Sequence, residues 1–249
     1  RLLGGNRQQA PAFLFTASHG LRFPQQLDHQ GALLCHWKGD GAIPTPDDYF
    51  AGADLESDAK VLGMMAMFFA CYGAGTPRFD QFAHLAFRRR APIAPYGFVA
   101  ALPKRLLSLG ALAVIGHVDR AWGCSFVSPG GHLENQAFIT ALRKLLNGDP
   151  VGLATDPSFD LRYADMSSEL GHALGELAFD PGFISESDLS YTWMATNDAR
   201  NYVIIGDPAV RLPVTDVQQP ERPEIIRAAY HASIEPPSGE GPAEAERQI

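Results

Sequence analysis

Residues 61–75 read VLGMMAMFFACYGAG. From Val61 to Ala70 the stretch is apolar on both faces, the pattern of a strand covered on each side, as at the centre of a parallel sheet. It stops on Cys71, beside the glycines at 73 and 75. An earlier run, AFLFTAS (12–18), lies between Pro11 and Gly20, reads as a second buried strand, and leads into His19. ALAVIGHV (111–118) reads as a third and runs into Asp119.

The segments between and after these strands predict helices. GFVAALPKRLLSLG (97–110) has helical apolar spacing and ends at a glycine, with Pro103 either breaking its middle or marking its start. HLENQAFITALRKLLNG (132–148) reads as an amphipathic helix stopped by Asn-Gly, and LRYADMSSELGHALGEL (161–177) as another. NYVIIGDPAVRL (201–212) predicts a strand, a Gly-Asp-Pro turn and a short second strand, with Asp207 as a turn residue. Strands alternating with helices give an α/β chain with a mainly parallel sheet flanked by helices. Such sheets carry their chemistry at the carboxyl ends of the strands, where His19, Cys71 and the segment His117–Asp119 fall.

Around this core, residues 1–10 read as a lead-in, 11–215 as one domain and 216–249 as a proline-rich acidic tail. Residues 21–60 read as a long loop, a length commonly tied to function. No internal repeat is visible.

The composition narrows the classes. The chain has 249 residues, 46% hydrophobic and 19% charged, enough for a substantial core, and a net charge of −8 with scattered acidic residues. The one arginine run, FRRRA (87–91), reads as a solvated face, so nucleic acid is not expected as a partner. Three cysteines, an odd and sparse set, argue against a disulfide framework and for a reducing, cytoplasmic setting. No apolar run has the length of a membrane span and no signal pattern is visible, so no membrane association is expected. The chain opens on Arg1, which fits a trimmed or cut polypeptide.

The His-Gly and Cys-Tyr-Gly steps suit one chemistry. A thiol attacks well only as a thiolate and needs a nearby base, a role that histidine's near-neutral pKa fits. Attack on an amide builds charge on the carbonyl oxygen, which backbone N–H groups beside glycine can meet. The bland readings are a structural histidine and a small buried cysteine. These residues alone leave both open.

Taken together, FLFTASHG, FFACYGAGTP, ALAVIGHVDRAW and YVIIGDPAVRL resemble the caspase-like (clan CD) cysteine peptidases, nearest to the bacterial gingipain-type and CHAT-domain group. The likeness covers roughly residues 11 to 213, with the motifs in the family's order. It implies a caspase–hemoglobinase fold and a thiol protease, a hydrolase working through a Cys-His dyad. By this resemblance His19 is the base and Cys71 the nucleophile, while the N–H groups of Gly20 and Cys71 form the oxyanion hole. The chemistry needs no metal or organic cofactor, although some relatives use calcium to order loops.

Two departures from the family shape the expectations. Its fold has strands and a helix before the histidine strand, whereas about ten residues precede it here. The sheet is therefore expected to lack its first strands, with an upstream fragment or sensor domain of the same polypeptide as a partner. The second departure concerns specificity. Metacaspase- and clostripain-like members carry an aspartate two residues before the cysteine, at the position of Phe69. Separase-like members use an acidic residue just after the following strand, where Asp119 stands. The resemblance thus implies a protein substrate cut after Arg or Lys through a thioester, with Asp119, Phe69 and Trp122 at the substrate. Trp122 is equally a core residue, and Arg120 could instead neutralise Asp119 or bind an acidic P1 side chain.

Competing readings remain. A CHAT-like switch or scaffold would stay silent until an upstream domain or partner acts. A cysteine amidase or acyltransferase would take a small molecule, although the 21–60 loop favours a polypeptide. Cys35-His36 with His29 makes a poor zinc set, lacking a second suitably spaced pair. GAGTP (73–77) lacks a phosphate-loop lysine. His117 reads as structural, with lining the cleft as the alternative.

Overall fold

The structure, a computed structural model, describes residues 11–23, 26–36, 39, 43–80, 82, 92–128 and 131–213. The expected lead-in (1–10), the FRRRA run and the tail (216–249) lie outside the described residues. Among the described residues eight strands form in chain order: β1 (Phe13–Ala17), β2 (Leu33–Leu34), β3 (Tyr49–Phe50), β4 (Met65–Phe69), β5 (Gly75–Thr76), β6 (Phe98–Val99), β7 (Ala113–His117) and β8 (Tyr202–Gly206). The helices are α1 (Ala101–Ser108), α2 (Gln136–Leu146), α3 (Val151–Thr155), α4 (Leu161–Leu177) and α5 (Glu186–Arg200).

Four strands make the central sheet in the order β1-β4-β7-β8. β1, β4 and β7 run parallel, and β8 joins β7 antiparallel. Successive side chains of a strand point to opposite faces, which explains why the run before Cys71 is apolar throughout. Met65 and Met67 of β4, with Ala113 and Ile115 of β7, pack on one face against Phe138, Ala141 and Leu145 of α2. Ala66 and Phe68, with Val114, pack on the other against Leu102 and Leu106 of α1. Each large side chain so enclosed contributes about 1.5–3 kcal/mol. Helices flank the sheet as the sequence predicts, and β4 and β7 are buried on both faces; β1, expected as a buried strand, is only half-buried, with Phe15 and Ala17 exposed.

Pro103 stands in the first turn of α1, where its missing N–H costs no helical bond, so it marks the helix start. The residues just before it do not join the helix as expected: Phe98–Val99 pairs with Gly75–Thr76 in a short antiparallel ribbon. The second strand expected after Gly206 is also absent. Ala209's amide donates to the Asp207 side chain at 2.9 Å, closing the predicted turn. The next carbonyls serve another element: Pro208 and Val210 accept from the Gly152 and Val151 amides at 2.8 and 2.9 Å. That segment satisfies the amino end of α3 instead of extending the sheet.

The 21–60 segment is mostly irregular, held by the β2–β3 ribbon and single 3-10 turns. Among the described residues β1 has β4 on one side and no strand on the other. No helix among them is long and apolar enough to cross a membrane.

Candidate active site

Register places the three chemical residues. β1 and β4 pair with Phe13 opposite Met65, an offset of 52 (65 − 13). β4 and β7 pair with Met65 opposite Ala113, an offset of 48 (113 − 65). His19, Cys71 and Asp119 are separated by these same two offsets, so they follow three neighbouring parallel strands at one level of the sheet. Bonds beyond the strands preserve the alignment: the Ser18 amide donates to the Phe69 carbonyl at 3.0 Å, and the Tyr72 amide to the Asp119 carbonyl at 2.7 Å.

The chain turns sharply behind Cys71. Gly73's amide donates to the Ala70 carbonyl at 3.1 Å, and Tyr72, third in that turn, has φ of +59°. A bulky residue in the left-handed region carries a cost of roughly 1–2 kcal/mol and persists only where its surroundings fix it. Here they do. Tyr72 is buried, its amide is tied to Asp119, and a Cβ on Gly31 would lie 2.2 Å from its carbonyl oxygen. Gly31, at φ +81°, is itself left-handed, so glycine is required there twice over.

The segment around His19 is clamped by backbone bonds. The His19 carbonyl accepts from the Leu34 amide at 2.8 Å, and the Leu21 amide donates to the Ala32 carbonyl at 2.9 Å. His19 itself is exposed, as a residue at a rim should be. Gly20 lies against the Cys71 backbone and could carry no side chain there.

The Cys71 sulfur is half-buried and hydrogen-bonds the Ala121 carbonyl at 3.6 Å. Burial pushes the thiol above its ordinary range. Backbone groups of Ala121, Gly20 and Cys71 itself, with the Arg120 charge, pull the other way without prevailing.

Asp119 is fully buried. One carboxylate oxygen accepts the Arg120 amide at 2.7 Å, and the other has no partner among the described residues. Burial raises its carboxyl above the usual range, with the nearby Asp80 adding to that and the Arg120 amide, His117 and the Arg120 charge opposing it. The guanidinium of Arg120 does not neutralise it. That group ion-pairs with Asp80 and lies over the rings of Phe82 and Trp122, 5.5 and 5.8 Å from their centroids.

Trp122 is half-buried in an aromatic cluster, its ring centroid 5.5 Å from that of Phe82, which in turn meets Trp193 at 5.8 Å. Its amide donates to Asp198 Oδ1 at 2.8 Å, while its buried indole Nε1 has no partner among the described residues. Phe69 belongs to the core face of β4: its ring packs edge-on against Phe126 at 4.5 Å and Phe138 at 5.9 Å. His117 is structural. Its ring is fully buried, with Nδ1 2.9 Å from the Asp119 carbonyl and Nε2 3.0 Å from that of Asp198.

The Cys35-His36 segment hangs from the Asp48 carbonyl through both amides, at 2.8 and 3.0 Å, while His29 packs edge-on against Phe23 and Tyr49. Among the described residues no group of three or more His, Cys, Asp or Glu is placed to hold a metal ion. No disulfide joins the three cysteines.

Three residues at this site carry no signal in the sequence. Asp80 lies 40 positions from Arg120 and Asp198 lies 81 from His117, separations that no local pattern encodes. Tyr72 sits where a turn with positive φ would normally predict glycine or asparagine. No family model matches the chain, and neither a curated protein nor a solved structure matches it.

Proposed function

We propose that the chain is a caspase-like cysteine endopeptidase that cuts a protein substrate after a basic residue. The observation that carries this reading is the shared level of His19, Cys71 and Asp119 at the ends of adjacent parallel strands, with Gly20 against Cys71.

In this mechanism the Cys71 sulfur attacks the scissile carbonyl carbon and its proton passes to His19. The N–H groups of Gly20 and Cys71 hold the oxyanion, for which preorganised donors are the largest source of rate. Collapse breaks the C–N bond, and His19 gives the proton to the departing amine. Water, deprotonated by His19, then cleaves the thioester and restores the thiol. The unpartnered oxygen of Asp119 receives the P1 cation, a charge-assisted contact that arginine could make bidentate. The chemistry runs on side chains and backbone amides alone, and a reducing cytoplasm would keep the thiol available.

A second reading has its own support. A thiol raised by burial and bonded to the Ala121 carbonyl is a resting nucleophile. That favours a gated module, silent until an upstream domain or partner shifts the 119–122 segment.

A peptide library varied at P1, with Cys71→Ala beside the wild type, separates the two. Cys71-dependent cutting after Arg or Lys supports the peptidase and Asp119 together. Cutting after another residue keeps the enzyme and removes Asp119 from P1 recognition. Absence of cutting sets the endopeptidase aside in favour of the gated module.

A further inference from the structure

Resting on the reading of Asp119 as the receptor for a cation, we infer that Asp80 is a specificity-determining residue: it holds Arg120 off the Asp119 carboxylate and so keeps that site open. Arg120 follows Asp119 directly in the chain, and its positive charge acts on Asp119, Cys71 and Tyr72. A guanidinium so close to a buried, half-unpartnered carboxylate has an obvious place to go. It would cap Oδ2 and fill the position a substrate's arginine or lysine needs.

The geometry shows why it does not. The Arg120 guanidinium is taken by Asp80, and the aromatic faces of Phe82 and Trp122 hold it from the side. Asp80 is itself fixed, because its Oδ1 accepts the Phe82 amide at 2.9 Å. Asp80 and Phe82 lie on the stretch that follows the nucleophile turn, and Arg120 on the stretch after β7. The ion pair therefore also ties the two walls of the site together. Asp119 is left with one oxygen on the Arg120 amide and one without a partner, the state a cation receptor requires.

Removing Asp80 frees Arg120 to turn inward, and removing Arg120 as well opens the site again. The test measures kcat/KM on two peptides that differ only in carrying arginine or norleucine at P1. It also measures calorimetric binding of agmatine, a free guanidinium cation. The proteins are wild type, Asp80→Ala, Asp80→Asn and Asp80→Ala/Arg120→Ala, each checked for its melting transition. Asp80→Ala is expected to lose the preference for arginine by about tenfold or more, chiefly through KM. The double variant is expected to regain it, and agmatine binding to follow the same order. Asp80→Asn keeps the acceptor for Phe82 while losing the charge, so a smaller loss in the same direction is expected there, and that variant decides if the alanine protein melts early.

An Asp80→Ala protein that keeps its preference and its agmatine affinity overturns the inference. So does a double variant that stays as weak as the single. Should the wild type cut neither peptide, the peptidase reading fails and agmatine alone decides. Binding to the wild type and the double variant but not to Asp80→Ala upholds the role of Asp80, and equal or absent binding across the three removes it.

Discussion

A Cβ placed on Gly20 would stand 1.7 Å from the Cys71 carbonyl oxygen, 2.6 Å from its carbon and 2.8 Å from its nitrogen. All three atoms are backbone, so no flexible side chain can yield and one of the two strand ends must move. Gly20→Ala is predicted to cost about 1–3 kcal/mol of stability and to slow any reaction at Cys71. Denaturant midpoints and thiol labelling measured on the same variant check this. An alanine variant with unchanged midpoint and unchanged labelling would mean that the two strand ends do not touch.

The thiol of Cys71 sits above its ordinary range, and its alkylation should follow. Because only the thiolate reacts quickly, iodoacetamide should modify Cys71 slowly at neutral pH, with a midpoint above that of a simple thiol. Cys35 is raised as well, by burial and by Asp54, but it is exposed and should be labelled first. Peptide mapping across a pH series reads both. Fast labelling of Cys71 at neutral pH would show an already activated dyad.

Tyr72 links the same site to alkaline stability. Burial first, then the Asp119 and Cys71 charges, push its phenol up to about 12 from an ordinary value of 10, against the opposing pull of Arg120 and Arg22. In that window the folded protein holds a proton that the unfolded chain has released, so stability falls as pH rises from about 10 to about 12. Tyr72→Phe lacks this proton and should lose less stability over the interval. Melting temperatures of the two proteins at about pH 9 and pH 11, on either side of the ordinary phenol value, provide the comparison. Parallel decline would place the phenol in contact with water.

Asp198 anchors the segment that carries Asp119. It is fully buried, accepts the Trp122 amide at 2.8 Å through Oδ1, and brings that oxygen within 3.4 Å of His117 Nε2. Asp198→Ala strands the Trp122 amide, while His117 Nε2 keeps the backbone carbonyl of residue 198 at 3.0 Å, and the loss is predicted to cost about 1–3 kcal/mol. It should also weaken P1 selectivity more than it slows labelling of Cys71. Thermal melts read the first effect and the ratio of the two rates reads the second. Intact selectivity in a destabilised protein would leave Asp198 a purely structural role.

What is legible in the sequence depends on where the information lies. β4 and β7 are legible because strands buried on both faces leave unbroken apolar runs, β1 because its apolar run is short and bounded although it is only half-buried, and α4 matches its predicted bounds of 161–177. α5 is not, because its buried face is small and polar: Thr192, Ala195, Thr196, Asp198 and Ala199. Its threonines satisfy themselves by bonding back one turn, Thr192 to Asp188 and Thr196 to Thr192. Hydrophobic periodicity has nothing to register in such a helix. The direction of β8 is equally hidden, since an apolar run reads the same whichever way its strand runs. At the site, the residues that end strands can be found from the strands. The Asp80–Arg120 pair and the His117–Asp198 contact cannot, because they join distant segments through charge and burial alone.

The proposed dyad is tested most directly by covalent capture. A peptidyl acyloxymethyl ketone with arginine at P1 is incubated with wild type, His19→Ala and Asp119→Asn, and intact mass with peptide mapping locates the adduct. A Cys71 nucleophile served by His19 and Asp119 gives one adduct, on Cys71 of the wild type, formed at least about tenfold more slowly when either partner is changed. Equal capture in all three proteins, or an adduct on Cys35 instead, would contradict that assignment.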